Sequence, residues 1–127
     1  MNTKKKVIVY NNASNFWQGH RKVIKCKEFI KASENLELVK CCGDYHAGRT
    51  KIQRKRAIKK VLKYCKKFGI EIVVTASASS ISRSIPEFIW FMNELKKIGV
   101  EILLADSNTY GTEIFPMWCK EFNKLAM

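Results

Sequence analysis

The chain has 127 residues, 46% of them hydrophobic, enough for one domain with a buried core and too few for two. Lysine and arginine number 24 against 11 acidic residues, and the formal net charge of +13 points to a polyanionic partner, nucleic acid first. No apolar run reaches the roughly 18 residues that span a bilayer, and the opening lysines lead straight into a strand rather than a signal-peptide core. A cytoplasmic protein with no membrane partner is therefore expected.

Val7–Tyr10 is the first strand-type run. A helical pattern through Val23, Cys26, Phe29 and Ile30 follows, then a second strand over Leu36–Cys42. After Gly43, the residues Ala57, Ile58, Val61, Leu62, Cys65 and Phe68 recur at helical spacing, and Gly69 supplies a stop. Ile70–Ala76 is apolar almost without interruption, as in a central strand covered on both faces. Ser84-Ile85-Pro86-Glu87 has the form of a capping box with proline in the first turn, and predicts a helix to about Ile98 that buries Phe88, Phe91 or Met92, Leu95 and Ile98. Gly99 ends it before a strand over Val100–Ala105, and a polar loop from Asp106 to Thr112 leads to a last helix starting near Ile114. Alternation at this spacing implies βαβ units and a mainly parallel sheet flanked by helices.

The five cysteines, Cys26, Cys41, Cys42, Cys65 and Cys119, form no CxxC pair, and His20 and His46 stand alone. They are expected to be reduced thiols, with no metal site. There is no GxGxxG, Walker-type loop or Gly-x-Ser-x-Gly elbow, so no nucleotide cofactor or hydrolase triad is expected.

Ser14 follows the first strand directly, at the strand end where open α/β sheets place ligands. Its hydroxyl is a candidate nucleophile; a helix N-cap is the structural alternative. The stretch from Lys51 to Lys67 carries Arg54, Arg56, Lys59, Lys60 and Lys63 among nine cations with no acid. One face of that helix is core and the other a positive stripe suited to phosphate contact, with a row of solvated lysines as the alternative. Near the end, Met117, Trp118 and Phe122 offer apolar surface that either packs on the sheet or forms an interface.

Three stretches together resemble the serine recombinases of the resolvase/invertase family. Tyr10, Ser14 and Gln18 match that family's Tyr-x-Arg-Val-Ser followed four residues later by glutamine; Asp44-Tyr45-His46-Ala47-Gly48 is similar to its Asp-x-x-Ser-Gly; and Ser79-Ser80-Ile81-Ser82-Arg83-Ser84 is similar to its Asp-Arg-Leu-Ser/Gly-Arg-Ser/Asp. The resemblance implies a resolvase-like three-layer α/β domain spanning 1–127, without a separate helix-turn-helix DNA-reading domain. It implies that Ser14 is the residue that would form a phosphoserine bond to DNA without metal or nucleotide, with Arg83 and one of Arg54 or Arg56 on the phosphate. It also implies a homodimer, or a heteromer with a full-length recombinase, through the last helix.

The departures fall on the chemistry. Asn12 and Ser80 stand where the family has arginines, Ser79 where it has aspartate, and Ala47 where it has serine. A phosphodiester displacement builds negative charge that guanidinium groups stabilise, and losing one such donor typically costs about 10²–10³ in rate. The expectation is a DNA-binding or regulatory domain of recombination or mobile elements with impaired strand cleavage. A working minimal recombinase or nicking enzyme using Ser14 is one alternative, and a protein-interaction module reusing the fold is another.

Overall fold

The computed structural model describes residues 4–44 and 56–113. Four parallel strands, β1 (Lys5–Asn12), β2 (Leu36–Asp44), β3 (Ile72–Thr75) and β4 (Glu101–Leu104), are joined by helices α1 (Phe16–Ala32), α2 (Arg56–Phe68) and α3 (Ile85–Lys97). A two-residue strand, β5 (Thr109–Tyr110), adds antiparallel to β4 and completes the order β2-β1-β3-β4-β5. The sequence reading had only a polar loop at β5, because two residues bounded by a turn carry no strand periodicity. Residues 111–113 already have helical backbone, and the rest of the predicted last helix, with Met117, Trp118 and Phe122, lies outside the described residues.

The period of two along each strand divides the core into two layers. Val7, Val9, Ile72, Val74 and Leu103 pack with Cys26 and Ile30 of α1 on one face. Ile8, Tyr10, Val73, Ile102 and Leu104 pack on the other face with Ile58 and Val61 of α2 and Phe88, Phe91 and Leu95 of α3. Both faces of β1 and β3 are thus covered, which is why those strands read as unbroken apolar runs, and β3 holds the centre of the sheet as expected. The outer strand β2 is mostly exposed or half-buried and carries an irregularity opposite Val7 and Ile8, where Lys40 rather than Val39 pairs with Ile8.

The helix ends follow their local chemistry. Gly69 (φ 64°) and Gly99 (φ 75°) close α2 and α3 in the left-handed region, which costs glycine little. Ser84 caps α3 by accepting from Glu87 N at 3.4 Å. The return limb of the predicted capping box runs through a third residue: Ser84 N donates to Ser82 Oγ, which donates to Glu87 Oε2 at 2.7 Å. Phe91 and Met92 are both buried, whereas Ile98 is only half-buried at the helix terminus. Among the described residues no helix is long and apolar enough to cross a membrane.

Candidate active site at the sheet switch point

In an open parallel sheet, ligands bind beyond the carboxyl ends of the strands where the order reverses. Here that point lies between β1, whose connection runs outward to β2, and β3, whose connection runs the other way to β4. Ser14 stands two residues past β1. The segment Ser77 to Arg83 begins two residues past β3, with a 3-10 turn at Ala78–Ser80. The two stretches singled out in the sequence therefore follow the two strands that flank this point.

The crevice is stitched from buried polar side chains. Asn11 bridges the strand ends, its Oδ1 accepting from Thr75 Oγ1 at 3.1 Å and from Ala76 N at 2.9 Å. Asp44, at the end of β2 and 5% exposed, accepts from Tyr10 Oη at 2.8 Å and from Ala57 N at 3.1 Å, while its carbonyl accepts from Ala13 N at 2.9 Å. The Asp44 carboxylate thus fixes β1 and the start of α2, and its backbone carbonyl holds the segment leading into Ser14. Burial, and then the Asp44 charge, raise the Tyr10 phenol well above its ordinary value, so it acts as a fixed donor. The sequence reading used Asp44 only as part of a family motif; its clamping role depends on Tyr10 lying 34 positions away, beyond any local signal.

Ser14 does not cap α1. Asn15 is the N-cap and accepts from Gln18 N at 3.0 Å, and Gln18 Oε1 accepts from Ser14 N at 3.3 Å. Asparagine matches serine as a cap, so the cap moves one residue on and the exposed Ser14 hydroxyl is left clear of that duty. Arg83 is exposed beside Ala78, Ser79 and Ile85. Ser80, which the sequence resemblance sets against a family arginine, is fully buried, with its hydroxyl 3.1 Å from that of Ser77, which is in turn 3.0 Å from Ser79 Oγ. Asn12, which the resemblance sets against the other family arginine, has a buried Oδ1 with no hydrogen-bond partner among the described residues.

A cation absent from the sequence reading stands here. Lys22 Nζ donates to the Asn12 carbonyl at 2.8 Å, and partial burial together with the nearby charge of Arg83 lowers its pKa. Lys22 follows Gln18 by four residues and so shares its helix face, which is the signal that could have found it. Its neighbour Lys25 is engaged elsewhere, 2.6 Å from Asp106 Oδ1.

On α2, Arg56, Lys59, Lys60 and Lys63 are exposed opposite the buried Ala57, Ile58, Val61 and Cys65, as the periodicity predicts. Arg56 and Lys60 line a recess with Asp44, Lys40 and Tyr64, so the basic face begins where Asp44 anchors the helix. Arg54 lies outside the described residues, as does the Tyr45 to Gly48 motif.

A family model described as the resolvase N-terminal domain matches residues 14–117. The N-terminal catalytic domain of TP901-1 integrase superposes with a TM-score of 0.80 at 13% identity, over 96% of this chain and 98% of that one. A resolvase family site-specific recombinase from Streptococcus pneumoniae gives 0.68 at 20% identity over 97% and 86%. The C-terminal catalytic domain of ISC1926 TnpA, an IS607-like serine recombinase, gives 0.66 at 16% identity over 78% and 68%. No curated protein matches the sequence. The fold is that of serine recombinase catalytic domains, and with the family model covering most of its length, the chain belongs to the resolvase N-terminal domain family.

Proposed function

We propose that this resolvase-family domain acts on DNA in the cytoplasm as a regulatory or accessory component of site-specific recombination, with strand cleavage strongly impaired. The observation that supports this reading is that Ser14 and Arg83 follow the two strands flanking the switch point, while Asn12 and Ser80 supply no charge there. In the family reaction a serine Oγ–phosphorus bond forms as the bond from phosphorus to the 3′ oxygen breaks; the serine proton leaves and a proton arrives at the 3′ oxygen. That step needs a base to draw off the proton and several donors on the phosphate. Arg83 offers one guanidinium, Lys22 offers an ammonium already committed to a carbonyl and lowered in pKa, and Arg54 or Arg56 offers a third charge from the start of the basic helix. Two missing arginines, at about 10²–10³ in rate for each preorganised donor, leave phosphate binding possible and turnover slow. Generic duplex DNA contacts the α2 face formed by Lys59, Lys60 and Lys63 in this reading, and the last helix, with Met117, Trp118 and Phe122, contacts a second copy or a full-length recombinase.

The decisive experiment incubates end-labelled duplex DNA with the protein and resolves the products on a denaturing gel. DNA bound reversibly, with no covalent adduct above that of Ser14→Ala, is the expected result. A Ser14-dependent adduct would establish the alternative, a working minimal recombinase or nicking enzyme using Ser14, with Arg83 and Arg54 or Arg56 on the phosphate. Absence of binding at low salt would remove DNA from the account and leave the fold as a protein-interaction module.

A further inference from the structure

Immediately after Ser14, the chain places two large aromatic side chains in water. Phe16 is 62% exposed and Trp17 is 70% exposed, in the first turn of a helix whose start is fixed by the Asn15 cap. Aromatic rings of this size carry much of a core's apolar area, and their exposure calls for a partner. They are also ordered against one another. The Phe16 and Trp17 rings meet edge to face at 5.6 Å, and the Phe16 ring stacks on His20 at 5.9 Å with an interplanar angle of 8°.

Two features choose the partner. The first turn of α1 contains no acidic residue, Arg21 is exposed one turn on from Trp17, and Lys22 lies within the field of Arg83's charge. Flat exposed aromatic rings on a helix that also carries cations fit a nucleic-acid strand whose phosphates meet the cations and whose bases stack on the rings. Bases inside a duplex keep their faces covered by their neighbours, so the strand that fits is unpaired.

We propose that Phe16, Trp17 and His20 form a stacking platform for an unpaired base of single-stranded nucleic acid whose backbone lies toward Ser14 and Arg83. The platform rests on the reading of the domain as DNA-associated, and adds to it a preference for opened or single-stranded DNA at this end of the sheet.

Three probes of equal length separate the contributions: oligothymidylate, an abasic strand with the same phosphates and no bases, and a duplex. With the full chain at moderate salt, anisotropy should show oligothymidylate bound about 5- to 150-fold more tightly than the abasic strand, the range for one stacked base. The double variant Phe16→Ala, Trp17→Ala should lose that advantage and keep its affinity for the abasic strand and the duplex, and Trp17→Phe should retain most of it. Both side chains are exposed, so the variants should fold, as circular dichroism would verify. If the double variant binds oligothymidylate as the wild type does, the platform is refuted and DNA association stands. If no probe binds at low salt, both fall together. If the double variant leaves all three affinities unchanged but abolishes a dimer seen in sedimentation, the rings are a protein contact and the proposal is wrong.

Discussion

Replacing Asp44 by alanine tests how the site is held. The residue is 5% exposed and accepts one hydrogen bond from the Tyr10 hydroxyl and one from the Ala57 amide. Alanine leaves both donors buried and unpaired. An orphaned donor costs about 1–3 kcal/mol, and bonds to a charged acceptor fall in the upper part of that range, so Asp44→Ala should lose roughly 3–5 kcal/mol in urea unfolding at neutral pH. Against a typical domain stability of about 5–15 kcal/mol, that is a large fraction of the whole. Tyr10→Phe removes one donor and leaves Asp44 its contact with Ala57, and should cost about 1–2 kcal/mol. The two residues share a bond, so the double variant should be less destabilised than the sum of the singles by roughly 1–3 kcal/mol. Hydrogen exchange adds a local readout, since the Ala57 amide should lose protection in Asp44→Ala beyond what global destabilisation explains. An Asp44→Ala cost under about 1 kcal/mol, or additivity within about 0.3 kcal/mol, would refute the clamp.

Three shorter predictions follow from the charges and thiols. Because partial burial and Arg83 lower the Lys22 pKa in the folded protein, Lys22 loses its proton as pH rises before an ordinary lysine does. DNA affinity should therefore fall earlier on the alkaline side in the wild type than in Lys22→Arg, and coincident titrations would exclude Lys22 from the phosphate seat. The sign for stability is opposite: an unfolded lysine keeps its proton where the folded one has lost it, so this group favours folding increasingly as pH rises from the folded pKa toward the unfolded one. Charge reversal at Lys59, Lys60 and Lys63 should lower the slope of log affinity against log salt by about 3 if all three meet phosphates, and an unchanged slope would move the contact off α2. Burial raises the thiol pKa of Cys26 to about 11 and of Cys65 to about 12, so in native protein at pH 8 both should alkylate far more slowly than the half-buried Cys41 and Cys42, as mass spectrometry of labelled peptides would record.

Much of the fold was legible because β1 and β3 are covered on both faces, and the connections after α2 and α3 begin with punctuation that local chemistry demands. Gly69 and Gly99 stop α2 and α3 at positive φ, and Ser84 starts α3, all from signals within a few residues. What escaped was set by distance or by competition between equivalent residues. β5 is two residues long and exists through its pairing with Leu103 and Leu104. The cap of α1 could have been Ser14 or Asn15, two adjacent residues of equal capping power, and only the backbone decides between them. The Asp44 clamp joins parts of the chain whose meeting depends on the sheet order.

The same division shows how the proposed site positions could depart from the family pattern while the scaffold persists. Ser80 has been drawn into the interior, its hydroxyl shared with Ser77 beside the fully buried Ile81, and Asn12 leaves its carbonyl to Lys22. Neither position now points a cation at the switch point, yet each is compatible with the packed strand end it occupies. Restoring an arginine at 80 would therefore add a charge and also ask a fully buried serine site to take a long ionised side chain, which costs several kcal/mol unless the turn at Ala78–Ser80 rearranges. Asn12 lies half-buried at the end of β1, next to the crevice, so arginine there meets less resistance. Of the two single restorations, Asn12→Arg should raise Ser14-dependent adduct formation more than Ser80→Arg, and should do so with the smaller loss of thermal stability. The reverse order would mean that the turn after β3 opens readily, and that position 80 is held inward by its serine neighbours rather than by the core.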